Sequence, residues 1–269
     1  MRRYGPRRGA ADVALAERLA GTDVELHWAV VGDDPGAEGG AVACIRVGPG
    51  GGYGAHRHPT CERVVIVLSG TGVQVTADQP ARFGASDFLH VPAGVGHGFS
   101  NGGPEEARLL VAYYGTHSAD PAAHQPVSGD GATEGGGRAT GPISWRSLPA
   151  VELGASDGFV GVRSTLVVTA ETAGAQRLLA GVARFAPGGT HVLHRHRTAG
   201  EALYVLDGDA CWHLGPRSTA THVPAGALTS VEAGEWHGLV NRGPTEATAV
   251  FFYLGAATVG EDGYELAAA

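Results

Sequence analysis

The chain has 269 residues, a formal net charge of −8 at pH 7 and a hydrophobic fraction of 43%, enough for one large domain or two small ones with substantial cores. The acidic balance and the lack of a basic stripe exclude nucleic acid as an expected partner. No run of about 18 apolar residues is present, so no membrane span is predicted. Cys44, Cys61 and Cys211 show no CxxC spacing and cannot all pair, which suits a reducing, cytoplasmic setting.

In chain order, the opening MRRYGPRRG has the charge of a targeting peptide, but no apolar stretch follows it. ADVALAERLAG (11–21) predicts a short amphipathic helix instead. From there the pattern is of strands. ACIRVGPGG, RVVIVLSG, GVQVTA, DFLHVPAG, HGFSN and ARLLVAYY are short, rich in Val, Ile, Leu and aromatics, and broken by Gly, Pro or Asp. The segment HSADPAAHQPVSGDGATEGGGRATGP (117–142) lacks apolar periodicity and reads as a linker or draped loop. Beyond it GVARFAPGG, EALYVLDG, ACWHLG, THVPAG and TAVFFYLG repeat the first plan. The 44 glycines, more than about twice the usual share, sit mostly in the turns between these strands.

The repetition is close. VGPGGGYGAHRHPTCERVVIVLSG aligns without a gap on FAPGGTHVLHRHRTAGEALYVLDG, and HGFSNGGPEEARLLVAYYG aligns on HGLVNRGPTEATAVFFYLG. A duplicated domain follows, with boundaries expected at 1–118 and 143–269 and a linker at 119–142. Many short strands and little helix predict an all-β pair of small barrels or sandwiches.

Each copy carries His-Arg-His. Residues two apart on a strand face one side, so His194 and His196 point together, as do His56 and His58. Two imidazoles on one face start a divalent metal site. In the second copy a carboxylate, Glu201, and a third imidazole, His237, complete a four-ligand set. The first copy offers His97 as its third imidazole.

These motifs resemble the cupin superfamily, and specifically its two-domain bicupins. The first family motif, G-x5-HxH-x3,4-E-x6-G, is met in full by Gly188, His194, His196, Glu201 and Gly208. The second, G-x5-PxG-x2-H-x3-N, is met by Pro92, Gly94, His97 and Asn101 with Ser86 in the first position. In the second copy Gly226, Gly234, His237 and Asn241 meet it, with Glu232 replacing Pro. The resemblance implies two tandem jelly-roll barrels, a metal held by His194, His196, Glu201 and His237, strand exchange between the domains or between chains, and with it a possible homodimer.

The first copy departs from the motif. The ungapped partner of Glu201 is Arg63, and Glu62 aligns with Gly200. A one-residue shift turns a side chain to the opposite face. Glu62 therefore joins His56, His58 and His97 as a ligand only if a bulge restores it. Otherwise the site has three histidines or is emptied. Arg63 is then either a clamp for a substrate carboxylate or, as the plainer expectation, a solvated strand-edge residue.

Around the second site, His191 is either an acid–base residue near the barrel mouth or an ordinary loop histidine. Leu203, Val205 and Leu239 are expected to line a pocket, and Trp212, His213 and Trp236 to pack between domains. Three imidazoles and a carboxylate suit Fe(II), Mn, Ni, Cu or Zn. The resemblance favours Fe(II) and a dioxygenase acting on a small oxygen-bearing organic substrate. A non-redox decarboxylase, cyclase or isomerase, and a non-catalytic ligand-binding bicupin, are the alternatives.

Overall fold

The computed structural model describes residues 3–4, 16–18, 23–31, 39–76, 80–116, 125–127, 139–214 and 220–267. Within them the chain forms two antiparallel barrels on one plan. In the first, one sheet orders Ile143–Ser144, Asp87–Val91, Glu62–Ser69, Ala107–Thr116, Gly39–Val47, Val24–Val31 and Ala16–Arg18. The other orders Gln125–Pro126, Gly52–Arg57, His97–Ser100, Thr71–Thr76 and Ala81–Gly84. In the second barrel one 19-residue strand, Leu178–His196, pairs with Ala247–Leu254 along its first half and with His237–Val240 along its second.

The run RVVIVL does not alternate in polarity because both faces of its strand are covered. Val65 and Val67 point into the first barrel, packing with Ile45, Leu89 and Phe99. Val64 and Ile66 point outward into a core shared by the two barrels, with Leu178, Val250 and Phe252 opposite. EALYVL repeats this division: Leu203 and Val205 lie in the second barrel's interior, and Ala202 and Tyr204 in the shared core. Burial on both faces produces continuous apolar runs where a half-exposed strand would alternate.

The barrels also exchange strands within the chain. Arg3–Tyr4 adds in parallel to Leu228–Val231 of the second barrel, and Ile143–Ser144 adds to Asp87–Val91 of the first. The motif asparagines act as structural ties. Asn101 donates to the carbonyls of Val47, Gly48 and Glu105 and accepts from the Gly103 N–H. Asn241 makes the same four bonds with Phe185, Ala186, Thr245 and Gly243.

Two expectations are corrected, and one segment expected as a linker or draped loop is placed in part. Ala16–Arg18, from the predicted amphipathic helix, is a strand paired with Val24–Val31; the rest of 11–21 lies outside the described residues. Part of the linker is ordered against the first barrel. Gln125–Pro126 pairs with Arg57 and His56, and the Thr140 N–H reaches the His90 carbonyl. Trp236 lies under the Arg195 guanidinium, 4.6 Å from ring centroid to Cζ, whereas Trp145 is the tryptophan of the shared core. The side chains of Trp212 and His213 lie outside the described residues.

Candidate metal centres

In the second barrel the register pairs His194 with His237 across neighbouring strands and sets Glu201 between Val231 and Tyr253. His194, His196, Glu201 and His237 are all buried, and their ligand atoms lie within 4.8 Å of one another. Glu201 Oε2 is 2.7 Å from His237 Nε2, 3.4 Å from His196 Nε2 and 4.0 Å from His194 Nε2.

The far side of each ring is tied. His194 Nδ1–H donates to the Val192 carbonyl at 2.8 Å and His237 Nδ1–H to that of Glu235 at 2.8 Å. His196 Nδ1 bonds Asp262 Oδ2 at 2.9 Å. Each tie aims Nε2 at the common centre, as partners behind metal-ligating histidines do. Buried His194 Nε2 and His196 Nε2 make no hydrogen bond, and such atoms call for a ligand. The donor set therefore fits a divalent metal ion.

The charges respond to this arrangement. Burial, with His237 alongside, pushes His194 down to about 3. Burial also opposes charge on His196, but its bond to Asp262 and the nearby Glu201 carboxylate prevail and push it up to about 9. Glu201 is held well below the usual carboxylate range: burial would raise it, and His196 and His237 more than reverse that.

His191 is a strand residue, not a loop histidine, and is only 9% exposed. Its ring stacks between Phe159 and His194, at centroid distances of 3.7 and 3.5 Å, and its Nε2 lies 2.9 Å from the Tyr264 hydroxyl. That hydroxyl donates to the Asp157 carbonyl, so His191 Nε2–H is the donor to it. Burial, then the neighbouring His194, holds His191 well below its ordinary value and therefore neutral. Asp262 and Tyr264 come from the C-terminal arm, which pairs with residues 194–196; the sequence reading missed both.

In the first barrel His56 pairs with His97, and His56, His58 and His97 form a second buried group with ligand atoms within 4.8 Å of one another. The carboxylate position is filled by Arg63. It pairs with Tyr113 and Val91, as Glu201 does with Tyr253 and Val231. The expected solvated arginine is corrected: Arg63 is 3% exposed, inside a strand covered on both faces. Nor does a bulge return Glu62 to the histidines. Glu62 stays in register with Tyr114 and faces the second barrel. There its carboxylate accepts from His90 Nε2 at 2.7 Å and from the backbone N–H groups of Gln176 and Arg177 at 2.8 and 2.7 Å. Cys61 is buried, with its thiol on the Gly115 carbonyl.

The family model of the cupin domain matches residues 44–113 and again 181–253. No curated protein matches the chain. Among solved structures, two mutants of Bacillus subtilis oxalate decarboxylase OxdC superpose with TM-scores of 0.67 and 0.66 at 14% and 13% identity. Each match covers 90% of this chain and 76% of that one. A structure of the same enzyme described for its Mn(II) centres gives a TM-score of 0.65 at 14% identity, covering 88% of this chain and 74% of that one. Identity this low shows a shared two-domain fold and nothing finer.

Proposed function

Because the chain belongs to the cupin family, with the domain present twice, we propose that it is a metal-dependent enzyme whose reaction centre is the second barrel. One observation carries this reading: a buried carboxylate oxygen within 4.0 Å of three imidazole nitrogens whose far sides are all tied. His194, His196, Glu201 and His237 would hold the ion. A divalent ion there supplies Lewis acidity and, if it is Fe(II), oxygen activation beside a chelating substrate. Glu201 offsets the ion's charge and the three tied rings fix its position. Leu203, Val205 and Leu239, in the barrel interior, keep water from the reacting atoms and bound the size of the substrate.

The favoured reaction is dioxygenation of a small oxygen-bearing organic substrate with Fe(II). A non-redox decarboxylase, with Mn(II), has one feature in its support. Tyr264, its hydroxyl held protonated by burial, packs beside the ligand rings of His194 and His196 and accepts from His191, a proton source next to the centre for a carbon that has lost CO2.

Metal analysis of untagged protein tests the centre. His194→Ala and Glu201→Gln should each remove the ion from the second barrel. Unchanged metal content in both variants would sink the reading. Turnover of small keto, enol and hydroxy acids in an oxygen electrode then separates the reactions. Oxygen consumed in step with substrate supports the dioxygenase, and full turnover under strict anaerobiosis eliminates it.

A further inference from the structure

The first barrel holds a combination that the second lacks: converging imidazoles, a buried guanidinium, and no carboxylate among the described residues that form the group. Arg63 Nε makes no hydrogen bond, and Arg63 enters no ion pair among the described residues. A buried charge without a partner is strongly unfavourable. Burial accordingly lowers the Arg63 pKa, with only the Tyr113 hydroxyl nearby to offset it.

The imidazoles are set up differently from hydrogen-bond donors. His56 Nδ1–H donates to the Gly54 carbonyl and His97 Nδ1–H to that of Val95, both at 2.9 Å. In the neutral ring the other nitrogen then carries a lone pair, and it is turned inward with the other ligand atoms.

Neither simple ligand suits this pocket. A bare divalent cation would satisfy the imidazoles but would add charge beside Arg63, where the second barrel supplies Glu201. An anion alone would satisfy Arg63 but would face imidazole lone pairs. A metal ion carrying an anion satisfies both. The position is that of a side-chain carboxylate exchanged for arginine, whose planar fork matches a carboxylate. Aromatic rings wall the group. Tyr53 packs on His56 at 4.5 Å between centroids, Tyr113 on His58 at 5.5 Å and Phe99 on Tyr53 at 6.2 Å.

We infer that the first barrel binds a divalent metal ion and a small carboxylate together and neither well alone, with the bound carboxylate bridging the ion and Arg63 in place of the missing glutamate. Binding here is independent of what the second barrel does.

Equilibrium dialysis of the full chain at fixed free Mn(II), with and without acetate or glycolate, tests the coupling. Without carboxylate, Mn(II) should fill the second barrel only. With carboxylate a second site should appear, its apparent affinity raised about tenfold or more, and Mn(II) should raise carboxylate affinity by the same factor. Arg63→Met should abolish the carboxylate dependence. Arg63→Glu, which restores the motif, should bind the second ion without added anion. The second-barrel ion serves in every variant as an internal check of folding. A first-barrel ion bound equally well without carboxylate overturns the inference, as does no second ion under either condition. Equal enhancement by inorganic phosphate overturns the carboxylate assignment.

Discussion

The carboxylate of Glu62 accepts the backbone N–H of Arg177 at 2.7 Å, joining the wall of the first barrel to the chain that enters the second. A second oxygen takes the Gln176 N–H and the His90 imidazole, so the buried His90 ring and two part-buried backbone N–H groups depend on one side chain. The Arg177 guanidinium also lies over Tyr114, 4.4 Å from its ring centroid. Glu62→Ala should therefore destabilise the protein by about 1–3 kcal/mol, the usual cost of leaving a buried donor unsatisfied. Metal content should stay at the wild-type level in both barrels. Thermal denaturation and metal analysis on one preparation decide the matter; lost metal with an unchanged melting temperature would return Glu62 to the ligand set.

Much of this was legible because it is encoded locally. The HxH spacing brings two imidazoles to one face whatever the surroundings, and ungapped alignment already put Arg63 opposite Glu201. Sequence could not supply what surrounds that strand. Arg63 reads as a solvated edge residue until its strand is seen flanked by Asp87–Val91 and Ala107–Thr116, with Arg63 on the inner face of Val65 and Val67. The partners of Glu62 are backbone N–H groups, which have no signature in sequence. Asp262 and Tyr264 were missed for a related reason. They reach His196 and His191 from 66 and 73 residues away, Tyr264 on a three-residue strand with no motif of its own and Asp262 in the turn before it.

A turn near each barrel offers a direct comparison of backbone cost. Ser86, where the family motif has Gly, holds φ at +80°, and its counterpart Gly226 holds +82°. A Cβ at Gly226 would meet only the Tyr204 hydroxyl, at 3.9 Å. Steric crowding is thus absent, and the cost of Gly226→Ala is that of a left-handed backbone alone, about 1–2 kcal/mol. Ser86→Gly relieves the same strain, but greater freedom of the unfolded chain takes back about 0.4–1 kcal/mol. It also removes the exposed bond from Arg146 Nε to the serine hydroxyl. A clear fall in stability for Gly226→Ala and a change near zero for Ser86→Gly are expected in urea titrations. A neutral Gly226→Ala would show that the turn does not need the left-handed conformation.

Metal uptake by the second barrel should release a proton from His196. Its pKa stands at about 9 in the metal-free protein against an ordinary 6.5, because the bond to Asp262 and the nearby Glu201 carboxylate outweigh burial. The ring is therefore protonated at neutral pH, and coordination through Nε2 requires that proton to leave. The sign follows from the raised value. Stability from the charged ring is fully present below about 6.5 and is lost as pH rises through about 9, while metal affinity climbs about tenfold per pH unit over that window. His194, pushed down to about 3, is already neutral and releases nothing. Titration calorimetry with Mn(II) at pH 7.5, in two buffers of different ionisation enthalpy, should report net proton release as the ion binds at the second barrel. Asp262→Asn removes the carboxylate behind His196 and should shrink that release while weakening metal binding by about 10–100-fold. No proton release from the wild type, with the metal bound, would mean that Asp262 does not hold His196 charged.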